Sequence, residues 1–265
     1  MSAGGSPARP SLDPEAGQGF PGVDGPATSA AADLAINRIA AAIRRVANVA
    51  VGQPLDDDVV VTAADELTAL AQRLEDAAPT EKRWRGQPDP DGHPQDMFPM
   101  SPVTGFSNPI AAPADVWTVL GDGGQREIRG RVRFGYQHEG PPTCVHGGVI
   151  AELFDEMLGL ANIAVDQAGM TGTLTVRYRR PTPLLTPLDL ASRFVRREGR
   201  KIYTWGGIFH QGELTAEAEG IFIEVQPGRM LDIVSGNAAG TEAQLIDRSW
   251  QKMIDRGVEE PGSIA

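Results

Sequence analysis

The 265-residue sequence predicts an α+β fold in which an antiparallel sheet wraps one central helix. Three observations carry this. Ile150, Leu153, Phe154, Met157, Leu158, Ala161 and Ala164 keep the i, i+3, i+4, i+7 spacing of a buried helical face. Runs of period two flank that helix, from Val116 to Phe134 before it and from Leu174 to Val225 after it. The helix opens on Cys144-Val145-His146-Gly147-Gly148, behind Pro141-Pro142, which stops any preceding element.

Taken in order, residues 1–32 are rich in Gly, Ala, Pro and Ser. With few large apolar side chains they cannot offset their ordering entropy, and a disordered tail is expected. Residues 33–78 predict a helical hairpin. In its first helix, from Asp33 to about Val51, Leu34, Ile36, Ile39, Ile43, Val46 and Val49 or Ala50 mark an apolar stripe, with Arg38, Arg44 and Arg45 on the other side. Gly52-Gln53-Pro54 ends it, and Thr62 is expected to cap a second helix with Leu67, Leu70, Ala71 and Leu74 on its apolar face. Residues 79–114 carry eight prolines together with Trp84, Met97, Phe98, Met100 and Phe106, which predicts an extended segment packed over the domain surface as a lid.

Residues 115–228 are expected to form the sheet domain. Val116–Leu120, Glu127–Phe134, Leu174–Arg180, Leu188–Arg197, Lys201–His210 and Leu214–Val225 read as strands, and Gly206-Gly207 as a bulge or a close approach. In the last stretch, residues 229–265, a linker precedes a helix that starts at the capping box Thr241-Glu242-Ala243-Gln244.

Composition narrows the chemistry. A net charge of −11 excludes sequence-independent nucleic-acid binding, which needs a basic footprint. Cys144 is the sole cysteine, so neither an internal disulfide nor a thiolate cluster can form. The four histidines show no ligand spacing, so no metal is expected, and no cofactor motif is present. A G-x-S-x-G elbow is absent. No apolar run approaches about 18 residues, and the N-terminus lacks a charged and then apolar leader, which makes the cytoplasm the default compartment.

At the central helix, Gly147 and Gly148 leave backbone N–H groups uncovered where the helix dipole favours negative charge. Such an end can hold an oxyanion. Asp155 follows two turns in, among apolar neighbours, where a charge is costly unless it has a use or sits on a wet edge of the helix.

His146-Gly147-Gly148, the apolar helix and Asp155 nine residues after the histidine resemble the PaaI-type acyl-CoA thioesterases of the hotdog superfamily. Thr171-Gly172-Thr173-Leu174-Thr175-Val176-Arg177-Tyr178-Arg179-Arg180-Pro181 is similar to that family's T-x-x-L-x-V-x-Y-x-R-P strand, and Arg196-Arg197-Glu198-Gly199-Arg200-Lys201 to its following turn. The resemblance spans roughly Asp115 to Val225 and implies a hotdog fold and hydrolysis of an acyl-CoA thioester. It implies that the Gly147 amide donates to the oxyanion, with His146 holding the loop or the thioester oxygen. Asp155 would act as general base or as nucleophile, and the Thr171 hydroxyl would orient the water or the carboxylate. A homodimer or dimer of dimers is implied as well. Helix geometry agrees, because Gly147 and Asp155 lie about 12 Å apart along one helix and cannot meet on one carbonyl.

Coenzyme A is anionic, so an acidic protein must offer it a local basic patch. Residues 176–201 hold Arg177, Arg179, Arg180, Arg193, Arg196, Arg197, Arg200 and Lys201 against Asp189 and Glu198, an excess of six positive charges. Gly148, Arg179, Arg180, Arg196, Arg197, Arg200 and Lys201 are therefore the candidate substrate-binding residues. Two rivals stand beside this reading: a non-catalytic acyl-binding or regulatory protein of the same fold, and a hotdog dehydratase or hydratase.

Overall fold

The computed structural model describes residues 35–78, 100–167 and 169–224. The expected tail at 1–32, the apolar residues Trp84, Met97 and Phe98, and the helix expected after Thr241 lie outside them.

Six strands make one antiparallel sheet: β1 (Asp115–Leu120), β2 (Arg126–Val132), β3 (Gly169–Tyr178), β4 (Leu188–Glu198), β5 (Lys201–His210) and β6 (Glu213–Glu224). Their order across the sheet is β1-β2-β4-β5-β6-β3, so β1 and β3 are the edges. Three helices accompany them, α1 (Ala35–Gly52), α2 (Asp57–Ala77) and α3 (Gly147–Ile163). Helix α3 lies in the curve of the sheet against β2, β3, β4, β5 and β6. Its buried face is Ile150, Leu153, Phe154, Met157, Leu158 and Ala161, as the spacing predicts. Burying each large apolar side chain contributes about 1.5–3 kcal/mol, which makes this the principal core of the described domain. This is the expected α+β hotdog arrangement.

Two glycines let the helix come close. A Cβ at Gly206 would stand 3.1 Å from the Leu158 side chain, and one at Gly220 would stand 3.0 Å from Leu158 and 2.7 Å from Phe222. The close approach expected in the Gly206-Gly207 pair is therefore real at Gly206. The bulge of that hairpin falls instead between Ile208 and Phe209.

Strand β3 begins at Gly169, five residues before the period-two pattern becomes clear at Leu174. The cause is an irregularity at Gly172: Thr171 pairs with Phe222, whereas Thr173 pairs with Ile221. Directly opposed residues share a face of the sheet. Thr171 therefore lies on the side of the buried Phe222, facing α3, while Thr173 takes the other side.

The N-terminal helices depart from expectation. Helix α1 buries Asn37 and Ala40 and leaves the apolar stripe outside, with Ile39 39% and Ile43 42% exposed. Polar side chains explain the reversal. Arg44 donates to the Asn108 carbonyl at 2.7 Å, Asn48 Oδ1 accepts from the Tyr136 amide at 2.9 Å, and Ser107 donates to Asn37 Oδ1. Those bonds satisfy the turns of residues 100–114 and 135–138, a demand that outweighs the apolar stripe. Helix α2 starts at Asp57, not at Thr62, with Asp57 and Asp58 in its first turn where the dipole favours them. Thr62 is interior and bonds back to the Asp58 carbonyl at 2.8 Å. Helix α2 has no buried residue and follows α1 after residues 53–56.

Candidate active site

The turn before α3 is pinned by backbone bonds. The Val145 amide donates to the Thr182 carbonyl at 2.8 Å and the His146 amide to the His138 carbonyl at 2.9 Å. His146 is the N-cap of α3, in extended conformation at φ −61°, ψ 135°. Its Nδ1 accepts from the Gly148 amide at 3.0 Å. A neutral imidazole accepting at Nδ1 carries its proton on Nε2, which makes that atom a donor. The Gly148 amide is thereby engaged by His146.

Tyr178 is the residue that sequence reasoning missed. It stood in the quoted strand motif without a role. Its hydroxyl donates to the Gly147 carbonyl at 2.8 Å, tying the last residue of β3 to the first of α3. A Cβ at Gly147 would lie 3.2 Å from that same hydroxyl, so glycine suits the contact.

Asp155 is exposed in the single chain, not set among apolar neighbours. The reason is its place on α3. It shares a face with Gly148 and Glu152, which the sheet does not cover. Thr171 Oγ1 donates to Asp155 Oδ1 at 2.7 Å, so the structure brings together the carboxylate and the threonine. Gly147 and Asp155 are not brought together within one chain. The neighbouring Glu156 points elsewhere and accepts from Thr104 Oγ1 at 3.0 Å, holding the 100–114 segment to α3. Burial pushes its carboxyl above the usual range, against hydrogen bonds from Ser101 and Thr104 that lower it.

The basic stretch is corrected by the strand beside it. Arg177 pairs with Glu219 at 2.9 Å, Arg197 with Glu224 at 2.6 Å and Arg196 with Glu198 at 2.8 Å. Arg179 pairs with Glu217 and Arg180 with Glu213. Arg193 lies over the Trp205 ring, and Arg200 donates to the Glu224 carbonyl at 3.1 Å. The excess of six counted along residues 176–201 omits the acids of β6, which sit directly across the sheet. The surface is largely ion-paired, with the excess reduced from six to two by Glu213, Glu217, Glu219 and Glu224.

A groove of about 510 Å³ has the opposite character. Arg44, Arg45 and Arg133 line it with Asn48, Gln137 and His138, and no carboxylate is among the described lining residues. Burial pushes the His138 imidazole below its usual range, opposed by its backbone bond with Gly135. A smaller recess shares Ala112, Phe134 and His138 with the groove and reaches Val149, Glu152 and Leu153 on α3. Sequence counting missed this groove because its arginines come from α1 and from the loop after β2, 88 positions apart between Arg45 and Arg133. Among the described residues, no group of His, Cys, Asp and Glu is arranged to hold a metal ion. No described helix is long and apolar enough to cross a membrane.

No family model matches the chain. It is 36% identical over 91 residues to acyl-coenzyme A thioesterase THEM4 of Xenopus laevis, over 34% of this chain and 41% of the relative. To the Mus musculus protein of the same name it is 34% identical over 99 residues, 37% of this chain and 43% of the relative. The chain thus spans about two fifths of the length of the curated relatives it matches. A crystal structure of a thioesterase superfamily protein is 35% identical, with a TM-score of 0.61 over 72% of this chain and 96% of that one. With nearly the whole of that protein matched, the chain belongs to the thioesterase superfamily.

Proposed function

We propose that the protein hydrolyses an acyl-CoA thioester to a free acid and CoA. The observation that carries the reading is the pairing of a helix-start amide at Gly147 with a Thr171-oriented carboxylate, Asp155, on the uncovered face of the same helix. The names of the curated relatives supply the substrate class. Attack on a thioester turns its carbonyl into an oxyanion, and a fixed N–H at a helix start stabilises that charge without reorganisation. The Gly147 amide takes this role, and Tyr178 holds the carbonyl of the same residue, on the following peptide. His146 keeps the loop in place through Nδ1 and offers Nε2–H to the thioester oxygen. Asp155 either activates a water that attacks the carbonyl carbon or attacks it itself to give an anhydride that water then hydrolyses to the free acid, and in both cases the thiolate of CoA departs.

Two chains are needed for each site. Eight residues of helix separate Gly147 from Asp155, about 12 Å along the axis, whereas both must come within about 3 Å of one reacting centre. A second copy with its α3 antiparallel sets its Asp155 against Gly147 of the first. The exposed α3 face and the edge strand β3 are the surfaces open to such a copy. The phosphates of CoA fit the groove of Arg44, Arg45 and Arg133, which replaces the ion-paired residues 176–201 as the basic site. A homodimer of this kind, acting on CoA esters in the cytoplasm, is the reading favoured here.

Steady-state hydrolysis of a panel of acyl-CoAs by the full chain tests the proposal. Turnover that scales with enzyme and disappears with Asp155→Asn supports it. Stoichiometric acyl-CoA binding without thiol release would favour the acyl-binding alternative.

A further inference from the structure

Helix α2 exposes a complete apolar seam that nothing in the described chain covers. Val60, Leu67 and Leu74 recur every seven residues, and Ala63, Leu70 and Ala77 fall three places after each. These are the a and d positions of a coiled-coil repeat over three heptads. Leu67, Leu70 and Leu74 are 41%, 40% and 48% exposed. The helix is well placed to project, because α1 before it is fixed to the domain by Arg44, Asn37 and Asn48. Only residues 53–56 separate the two helices.

We propose that this seam pairs with α2 of a second copy of the chain, antiparallel across a two-fold axis. Three features choose this occupant. The first is packing. In an antiparallel pair, a residues meet d residues of the partner helix, so Leu67 meets Leu70, Ala63 meets Leu74 and Val60 meets Ala77. Every layer then has at least one large side chain. A parallel pair would put Ala63 on Ala63 and Ala77 on Ala77, leaving two voids along the seam.

The second feature is charge. Glu66 and Arg73 occupy the g positions, which face each other in an antiparallel pair, so two Glu66–Arg73 pairs form across the axis. A parallel pair would set both against alanines, Ala71 and Ala78, at the e positions. Asp58, Asp65, Glu75 and Asp76 fall on the outer positions. The third feature excludes a lipid surface: α2 carries six acids and one arginine, which an anionic bilayer repels. The pairing is self-complementary, as a two-fold contact requires. It does not depend on the thioesterase reading.

Cysteine cross-linking of the full chain tests it, with the wild type, which retains Cys144, as the background control. Ala63→Cys with Leu74→Cys puts the two thiols about 16 Å apart on one helix, beyond the ~7 Å limit for a disulfide, but side by side across an antiparallel pair. Mild oxidation should turn at least half of this double variant into a covalent dimer on a non-reducing gel. Val60→Cys alone, whose thiol would stand about 25 Å along the axis from its own copy in the antiparallel pair, should give no more dimer than wild type. Adding Leu70→Asp to the double variant should reduce the dimer at least fivefold while the helical circular dichroism signal is kept. A double variant that stays monomeric on the gel would overturn the proposal. So would Val60→Cys cross-linking as well as the double variant, since Val60 meets Val60 only in the parallel arrangement.

Discussion

Thr171 Oγ1 lies 2.7 Å from Asp155 Oδ1, and this bond joins edge strand β3 to the uncovered face of α3. It depends on the irregularity at Gly172, which turns Thr171 toward the helix while Thr173 faces away. A carboxylate held by a hydroxyl is oriented for attack or for proton abstraction. Asp155→Asn is expected to lower kcat by about 10² or more with the fold intact. Thr171→Val, which keeps the shape and removes the donor, is expected to lower kcat by about 10- to 100-fold, the loss of one hydrogen bond to a charged group. Steady-state kinetics with thermal melts of both variants check this. Wild-type turnover by Asp155→Asn would remove it as base or nucleophile.

The arginines give a paired prediction. Arg45→Glu with Arg133→Glu is expected to raise KM for an acyl-CoA by about tenfold or more, and to affect a short acyl thioester lacking the nucleotide far less. Arg196→Glu with Arg197→Glu breaks the pairs with Glu198 and Glu224, so its main effect should be on Tm rather than on KM. A KM effect confined to the Arg196/Arg197 variant would return the nucleotide to the sheet face.

Glu156 predicts a pH dependence of stability. Its carboxyl is raised by burial, so between its ordinary range and its raised one the folded protein holds more protons than the unfolded chain. That contribution is full at low pH and is lost as pH rises through the raised value. Glu156→Gln keeps an acceptor for Thr104 and has no charge to bury. Its Tm relative to wild type should therefore climb as pH goes from about 4.5 to 7. A difference that is flat or falls over that range would show that burial of Glu156 is not opposed in this way.

Gly220 sets the distance between sheet and helix. A Cβ there would stand 2.7 Å from Phe222 Cε2 and 2.9 Å from Thr204 Oγ1. Gly220→Ala is expected to cost about 1–3 kcal/mol, a fall of several degrees in Tm on calorimetry. An unchanged Tm would mean that α3 can lift from the sheet without loss.

How far the sequence could be read depended on the range of each signal. The face of α3 and most strands were legible because they rest on local periodicity, and His146, Gly147 and Asp155 stood in one motif. The Thr171–Asp155 bond was anticipated only through the resemblance, since a bulge at Gly172 leaves no mark in composition. Tyr178 escaped because its contact is with a backbone carbonyl, to which any residue contributes equally in sequence. The arginine patch was overcounted because charge was summed along the chain, while Glu213, Glu217, Glu219 and Glu224 reduce the excess from six to two across the sheet. Helix α1 misled for a related reason: its apolar stripe is strong, but its polar face bonds the Phe106 and Asn108 carbonyls and the Tyr136 amide.

The shared site is the central claim, and mixing two disabled chains tests it most directly. Gly147→Pro removes the amide proposed as oxyanion donor at the first position of α3, where proline is compatible with a helix and with the extended His146 before it. Each chain alone, Asp155→Asn or Gly147→Pro, should be inactive. After subunit exchange at equal concentrations, half the dimers are mixed and each has one intact site of two, so activity should return to about a quarter of wild type. No recovery after exchange verified by a mass tag, or full activity of a monomer in sedimentation, would contradict the account.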